Sequence, residues 1–213
     1  MRISKLSERA GLPVGTVKFY LRSGLLHPGL ATSATQALYD ETHLARLRLI
    51  RAMLGSGRLS LAEIQQILDA VDLPVGDPDA HVALVQAAIA GPDDLTADEC
   101  RDDAEALREM GWHIAPDSPH LPALTRSMQA ARTVGITVDR ARLAVYAEAA
   151  AHVARRDRAE LDGLPDEERP LMVAASQVLL DPIFAALRRL AGEHVAAVNK
   201  GKVPGQRVSV SNA

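Results

Sequence analysis

The sequence predicts a mainly α protein, with an N-terminal unit of short helices and one β-wing followed by an all-helical C-terminal bundle. Three observations lead there. Apolar residues recur three and four apart over most of the 213 residues, the period of a helix with one buried face. The stretch Ala31-Thr-Ser-Ala-Thr-Gln-Ala-Leu-Tyr39 interrupts that period, being short, polar and partly β-favouring. Capping residues, glycines and prolines punctuate the periodic segments at positions that start and stop helices.

In the head, Ile3, Leu6 and Ala10 share one face of a first helix. Gly11 permits a sharp turn, and Pro13 presets the first turn of a second helix running from Val14 to Leu25. Val14, Val17, Leu21 and Leu25 form its inner stripe and leave Thr16, Lys18, Phe19 and Arg22 largely outward. A helix, a tight turn and a second helix whose free face carries a hydroxyl, two cations and an aromatic ring suit a reader of the DNA major groove. The wing is predicted over His27 to Tyr39. Asp40 then caps a third helix to about Leu54, with Leu44, Leu47, Ile50 and Leu54 on its apolar stripe, ended by Gly55-Ser-Gly57. Ser60 with Glu63 forms a capping box for a fourth helix reaching about Val71.

Leu73-Pro-Val-Gly-Asp-Pro78 cannot continue a helix and marks a boundary. The predicted organisation is a head over 1–72, a linker over 73–78, a helical domain over 79–198 and a disordered tail over 199–213. Asp77-Pro78 starts a helix to Ala90, and Thr96 with Glu99 opens one to about Met110. Ser118-Pro119 begins a helix over 119–134. Another follows from about Thr137 to Leu161 and carries Leu143, Tyr146, Ala147 and Ala150. The last two run from Pro165 to Leu180 and from Pro182 to Val198, with a break or kink at Asp181-Pro182.

Taken in order, Thr16-Val-Lys-Phe-Tyr-Leu-Arg22-Ser-Gly24-Leu-Leu26, the Pro28-containing wing closing at Leu38-Tyr39-Asp40, Leu44-Ala-Arg46-Leu-Arg48-Leu-Ile-Arg51 and Leu59-Ser-Leu-Ala-Glu63-Ile closely resemble the MerR-type winged helix-turn-helix over roughly the first 72 residues. The sequence departs from the family pattern at Gly15, where a basic residue is usual, and at Ala37, where the wing usually has an arginine. The stretch before Ser60 is also one residue longer. The resemblance implies a dimeric transcriptional regulator that distorts an over-long promoter spacer so that RNA polymerase can engage it. Two-fold symmetry then predicts an inverted-repeat operator. Candidate DNA contacts are Thr16, Lys18, Phe19, Tyr20 and Arg22 on the second helix, Thr32, Ser33 and Thr35 on the wing, and Arg48 and Arg51 on the third helix. Tyr20 lies nearer the buried side, from which its hydroxyl can still reach a phosphate.

Charge agrees with that reading. Residues 1–58 hold nine Lys/Arg against three acids, whereas the whole chain is −3. A basic head on an acidic body suits sequence-specific rather than indiscriminate nucleic-acid binding. The lone Cys100 excludes an intramolecular disulfide and any multi-thiolate or iron–sulfur site. It reads as a small apolar filler. The His113 and His120 pair spans a loop, so no metal is assigned. No Gly-rich phosphate loop, Gly-x-Ser-x-Gly elbow or His-Glu-x-x-His pattern occurs, so neither an enzyme nor a cofactor is expected. A charged N-terminus and the Asp181-Pro182 interruption speak against a signal peptide and a membrane span, and the expected location is the cytoplasm.

The helical domain suits either a small-molecule effector or a protein partner, and an architectural DNA-binding role is a further alternative. Past residue 73 the aromatic side chains are Trp112, Tyr146 and Phe184, the candidate ligand-binding residues. So few rings favour an aliphatic or amphipathic ligand over a flat aromatic one.

Overall fold

The computed structural model describes residues 1–33, 36–74, 76–92 and 94–199. Thr35 and the predicted tail beyond residue 199 lie outside them. The elements are α1 (Ile3–Ala10), α2 (Val14–Ser23), β1 (Leu30–Ser33), β2 (Gln36–Leu38), α3 (Glu41–Gly55), α4 (Leu61–Asp72), α5 (Pro78–Ala90), α6 (Arg101–Glu109), α7 (Leu121–Thr133), α8 (Arg140–Leu161) and α9 (Arg169–Asn199).

The predicted turn chemistry recurs in the head. Gly11 adopts φ +65° after α1, a left-handed conformation that glycine reaches without Cβ strain. α2 ends at Ser23 rather than Leu25, because Gly24 is also left-handed at φ +82°. Leu25 and Leu26 then fold back into the core. β1 and β2 pair antiparallel with Leu30 opposite Leu38 and Ala31 opposite Ala37. Asp40 caps α3 by accepting from the Thr42 and His43 amides at 3.0 and 3.3 Å. At α4, Ser60 N–H donates to Glu63 at 2.8 Å and Glu63 N–H donates back to the Ser60 hydroxyl at 3.3 Å.

Three C-terminal expectations are corrected. The Thr96–Glu99 box is made, but a turn follows it, and regular helix begins only at Arg101. α7 begins at Leu121 rather than at Pro119, with Pro122 in its first turn, where the missing amide costs no helical hydrogen bond. Asp181-Pro182 interrupts nothing: α9 continues through Pro182 for 31 residues. An interior proline removes one hydrogen bond and crowds one carbonyl, and the turns on either side hold the helix. By length and composition alone, α9 is apolar enough to cross a membrane. Its first half, however, is committed to the protein core.

That core joins the head to distant segments. Leu6, Val17, Leu44, Leu47, Ile50, Met53, Ile64 and Leu68 are buried together with Val85 of α5 and Val173, Ala174 and Val178 of α9. Each large aliphatic side chain so buried is worth about 1.5–3 kcal/mol. Gly57 lets α9 approach, since a Cβ there would lie 2.5 Å from Val178 Cγ1 and 2.7 Å from Met53 O. Helices α6, α7 and α8 form a second, smaller body around Cys100, Ala104, Leu107, Leu121 and Ala147, with Ala106, Met128 and Leu143 beside them.

Candidate nucleic-acid interface

α2 presents Lys18, Phe19 and Arg22 to solvent. Lys18 and Arg22, four residues apart, stand one above the other on one face. Phe19 is 42% exposed and Tyr20 only 6%, with their ring centroids 5.8 Å apart. Thr16 is half-buried. Tyr20 thus supports the aromatic beside it more than it faces outward, and burial raises its hydroxyl pKa.

The wing stands clear of the core. Every described residue of β1 is exposed, including Thr32 and Ser33, and the Thr32 hydroxyl donates to the Gln36 carbonyl across the hairpin at 3.2 Å. Between α1, α2 and the wing runs a groove lined by Arg2, Ser4, Lys18, Ser33, Gln36 and Tyr39, with a volume of about 530 Å³. Arg2 and Gln36 were not among the candidates read from sequence. The available signals were the position of Arg2 just ahead of α1 and that of Gln36 at the start of the returning strand.

The third-helix cations have unequal freedom. Arg48 is exposed. Arg51 is exposed too, but donates to the Ala10 carbonyl at 3.4 Å and so supports the end of α1. Arg9 grips Glu41 through both guanidinium amines, one bond being 2.9 Å. The pairing raises the Arg9 pKa and lowers that of Glu41. Arg46, counted among the basic residues of the head, faces inward. It donates to the Leu25 carbonyl at 2.6 Å and to both Asp72 oxygens at 2.7 and 2.6 Å.

At the root of the wing, His43 Nδ1 lies 2.7 Å from Asp40 Oδ1. His27 stacks on His43 with centroids 3.9 Å apart, and the Tyr39 edge meets the same ring. Hydrogen bonds from the Thr42 hydroxyl, and next from His43, hold the Asp40 carboxyl far below the usual carboxylate range. Desolvation, then the nearby His43 and Arg46, lowers the His27 pKa. One donor atom from each of His27, Asp40 and His43 lies within 4.8 Å of the others, a set chemically suited to a borderline divalent cation. Asp40 Oδ1 is already occupied as the α3 cap. His113 and His120 join no three-donor group among the described residues.

The second body holds a cavity of about 290 Å³ between α6, α7 and α8. Trp112 and Tyr146 both line it, whereas Phe184 sits on the exposed part of α9 and does not. His120 at its edge has its pKa lowered by desolvation, partly offset by Asp181.

A basic winged helix-turn-helix with an outward second helix defines a DNA-binding regulator, and comparison with known proteins supplies the family. Residues 1–71 match the model for MerR HTH family regulatory proteins. The HTH-type transcriptional regulator MerD of Acinetobacter calcoaceticus is 35% identical over 120 residues, 55% of this chain and 89% of that one. MerD of Shigella flexneri is 38% identical over 72 residues, 33% of this chain and 60% of that protein. SCO5550 of Streptomyces coelicolor A3(2), described as a transcriptional regulator, has a crystal structure similar to this one with a TM-score of 0.71. It is 31% identical, over 97% of this chain and 100% of that one. The chain belongs to the MerR family of transcriptional regulators.

Proposed function

We propose that the protein is a homodimer that binds an inverted-repeat promoter operator through α2 and the wing, and that its α6–α8 body receives a small-molecule effector. The observation that carries the DNA contact is the exposed Lys18–Phe19–Arg22 face beside a wing whose groove adds Arg2, Ser33 and Gln36. Lys18 and Arg22 contact phosphate or base edges, Thr16 and Phe19 pack beside them, and Thr32 and Ser33 reach the flanking backbone. Thr35 belongs to the same wing contact by its place in the sequence. Arg48 and Arg51 are secondary backbone contacts, and Tyr20 contributes by holding Phe19.

The self-association surface in this reading is the second half of α9. Ile183, Leu187 and Leu190 are exposed there, four and three residues apart on one helix face, with the exposed Phe184 beside them. Family membership supports the remaining step, in which the bound dimer bends and underwinds the promoter and presents it to RNA polymerase.

Fluorescence anisotropy on the protein's own upstream DNA, with scrambled competitor and a salt series, tests the reading. Competitor-resistant binding with a steep salt slope is expected. Lys18→Ala and Arg22→Ala should each lower the slope by about one if the side chain neutralises a phosphate. Unchanged affinity in both variants would refute the α2 assignment.

A further inference from the structure

We propose that the cavity between α6, α7 and α8 binds a small, neutral, apolar molecule of about ten non-hydrogen atoms, held against Trp112. This rests on the reading of these helices as an effector body and adds the chemical class of the effector.

Size comes first. A volume of about 290 Å³, at roughly 30 Å³ per water-sized group, holds about ten such atoms. A partner helix, about 10 Å across with its side chains, would fill that volume within a single turn. The walls are Leu107, Leu121, Leu143 and Ala147, and Trp112 and Tyr146 stand among the lining residues.

Chemistry comes second. Among the lining residues only Ser118, His120, Tyr146 and the indole N–H of Trp112 offer polar side-chain atoms, and no Lys, Arg, Asp or Glu lines the cavity. An anionic ligand would lose hydration with no lining Lys or Arg to replace it. Arg142, next to the lining residue Tyr146, is already engaged. Its Nε donates to the Tyr146 hydroxyl at 3.3 Å and its guanidinium lies 5.8 Å from the ring centroid. Tyr146 is thereby positioned with its hydroxyl proton free to donate to a ligand oxygen. An alcohol, ketone or ester on a short hydrocarbon frame matches this arrangement.

The space exists because α8 carries small residues beside it. Ala147 and Ala150 line it from α8, where larger aliphatic residues are equally compatible with a helix. An apolar void forfeits the dispersion contacts of its whole lining. A ligand that enters recovers them.

Trp112 is the chain's single tryptophan and therefore the reporter. The full-length protein is titrated with 1-octanol, with 1-butanol and 1-hexanol for chain length and octanoate for charge, while Trp112 emission and operator anisotropy are followed separately. The proposal expects a saturable emission shift with octanol. Affinity should rise roughly three- to four-fold per methylene, and octanoate should bind at least ten-fold more weakly. Ala150→Phe, at an exposed position lining the cavity, fills it and should abolish saturation while leaving the melting temperature no lower and operator affinity without octanol unchanged.

No saturable shift with any alcohol, equal binding of octanoate, or full octanol binding by folded Ala150→Phe would each overturn the proposal. So would Trp112 emission that follows protein concentration and ignores octanol, which assigns the cavity to a second copy of the chain. Operator binding without octanol binding leaves the regulator reading standing. Octanol binding without operator binding does the reverse.

Discussion

Replacing Arg46 with methionine separates a structural arginine from the DNA-facing ones around it. The side chain is 7% exposed and makes three charge-assisted hydrogen bonds, one to the Leu25 carbonyl just beyond α2 and two to Asp72 at the end of α4. Methionine keeps much of the volume and the helix propensity but none of the donors. The Leu25 carbonyl then loses its partner, at about 1–3 kcal/mol. The half-exposed Asp72 loses a solvent-screened partner, at about 1 kcal/mol or less. Relief of guanidinium desolvation offsets part of both. The net expectation is a loss of about 1–3 kcal/mol for Arg46→Met and about 1 kcal/mol or less for Asp72→Asn. The double variant should fall short of the sum by up to about 1 kcal/mol. Urea unfolding of the full chain, read as a midpoint shift at constant slope, measures all three. Operator affinity should fall with α2 loosened, but its salt slope should not change. A stability loss under 0.5 kcal/mol, or a slope lower by about one, would refute the inward assignment and make Arg46 a phosphate ligand.

Other perturbations read other parts of the molecule. Leu187→Glu places a charge on a side chain 57% exposed in the single chain, so the helical circular dichroism should stay while sedimentation shows a monomer and operator affinity falls at least ten-fold. Gly57→Ala drives a methyl group into Met53 O and Val178. It should lower stability by about 1–3 kcal/mol, and Val178→Ala should rescue it only in part, because the carbonyl cannot be trimmed. His27 titrates below its ordinary value of 6.5 in the folded state, so the unfolded chain binds the extra proton first. Its contribution is therefore fully present above pH 6.5 and is lost as pH falls toward the lowered folded value. Melting temperature between pH 7.5 and 5.5 should fall less steeply in His27→Gln than in the parent.

Local chemistry was legible because short side chains fix it within one turn. Asp40, the Ser60–Glu63 pair and Asp77-Pro78 each announce a helix start that the structure makes, and Gly11 announces the turn before α2. The helical period turns Lys18, Phe19 and Arg22 outward and Tyr20 inward, as observed. What escaped depends on partners far along the chain. Arg46 reads as one more cation until Leu25 and Asp72 are folded against it. Gly57 reads as a helix stop, yet its lack of a side chain seats Val178. Pro182 reads as a break because the sequence shows the lost amide but not the turns that carry the helix across it. Trp112 and Tyr146 became neighbours only when α8 packed beside the turn after α6.

The placement of α9 links these features. Its first half shares a core with α3, α4 and α5 through Val173, Ala174 and Val178, so the helix is fixed to the DNA-binding head rather than tethered to it. Its second half leaves that core with an apolar stripe exposed. A helix of 31 residues spans roughly 46 Å at 1.5 Å per residue. That is comparable to the 34–36 Å separating successive major-groove faces on one side of a duplex. In the proposed dimer, two such helices paired through their second halves would set the spacing and angle of the two recognition helices by rigid geometry. The linker over 73–78 would play little part in that spacing, because α5 immediately after it also packs into the head core through Val85. The α6–α8 body is then an insertion between two segments of one rigid frame. A ligand there would act on the head by shifting α8 against α9, a contact made on the helix that, in the proposed dimer, fixes the two heads.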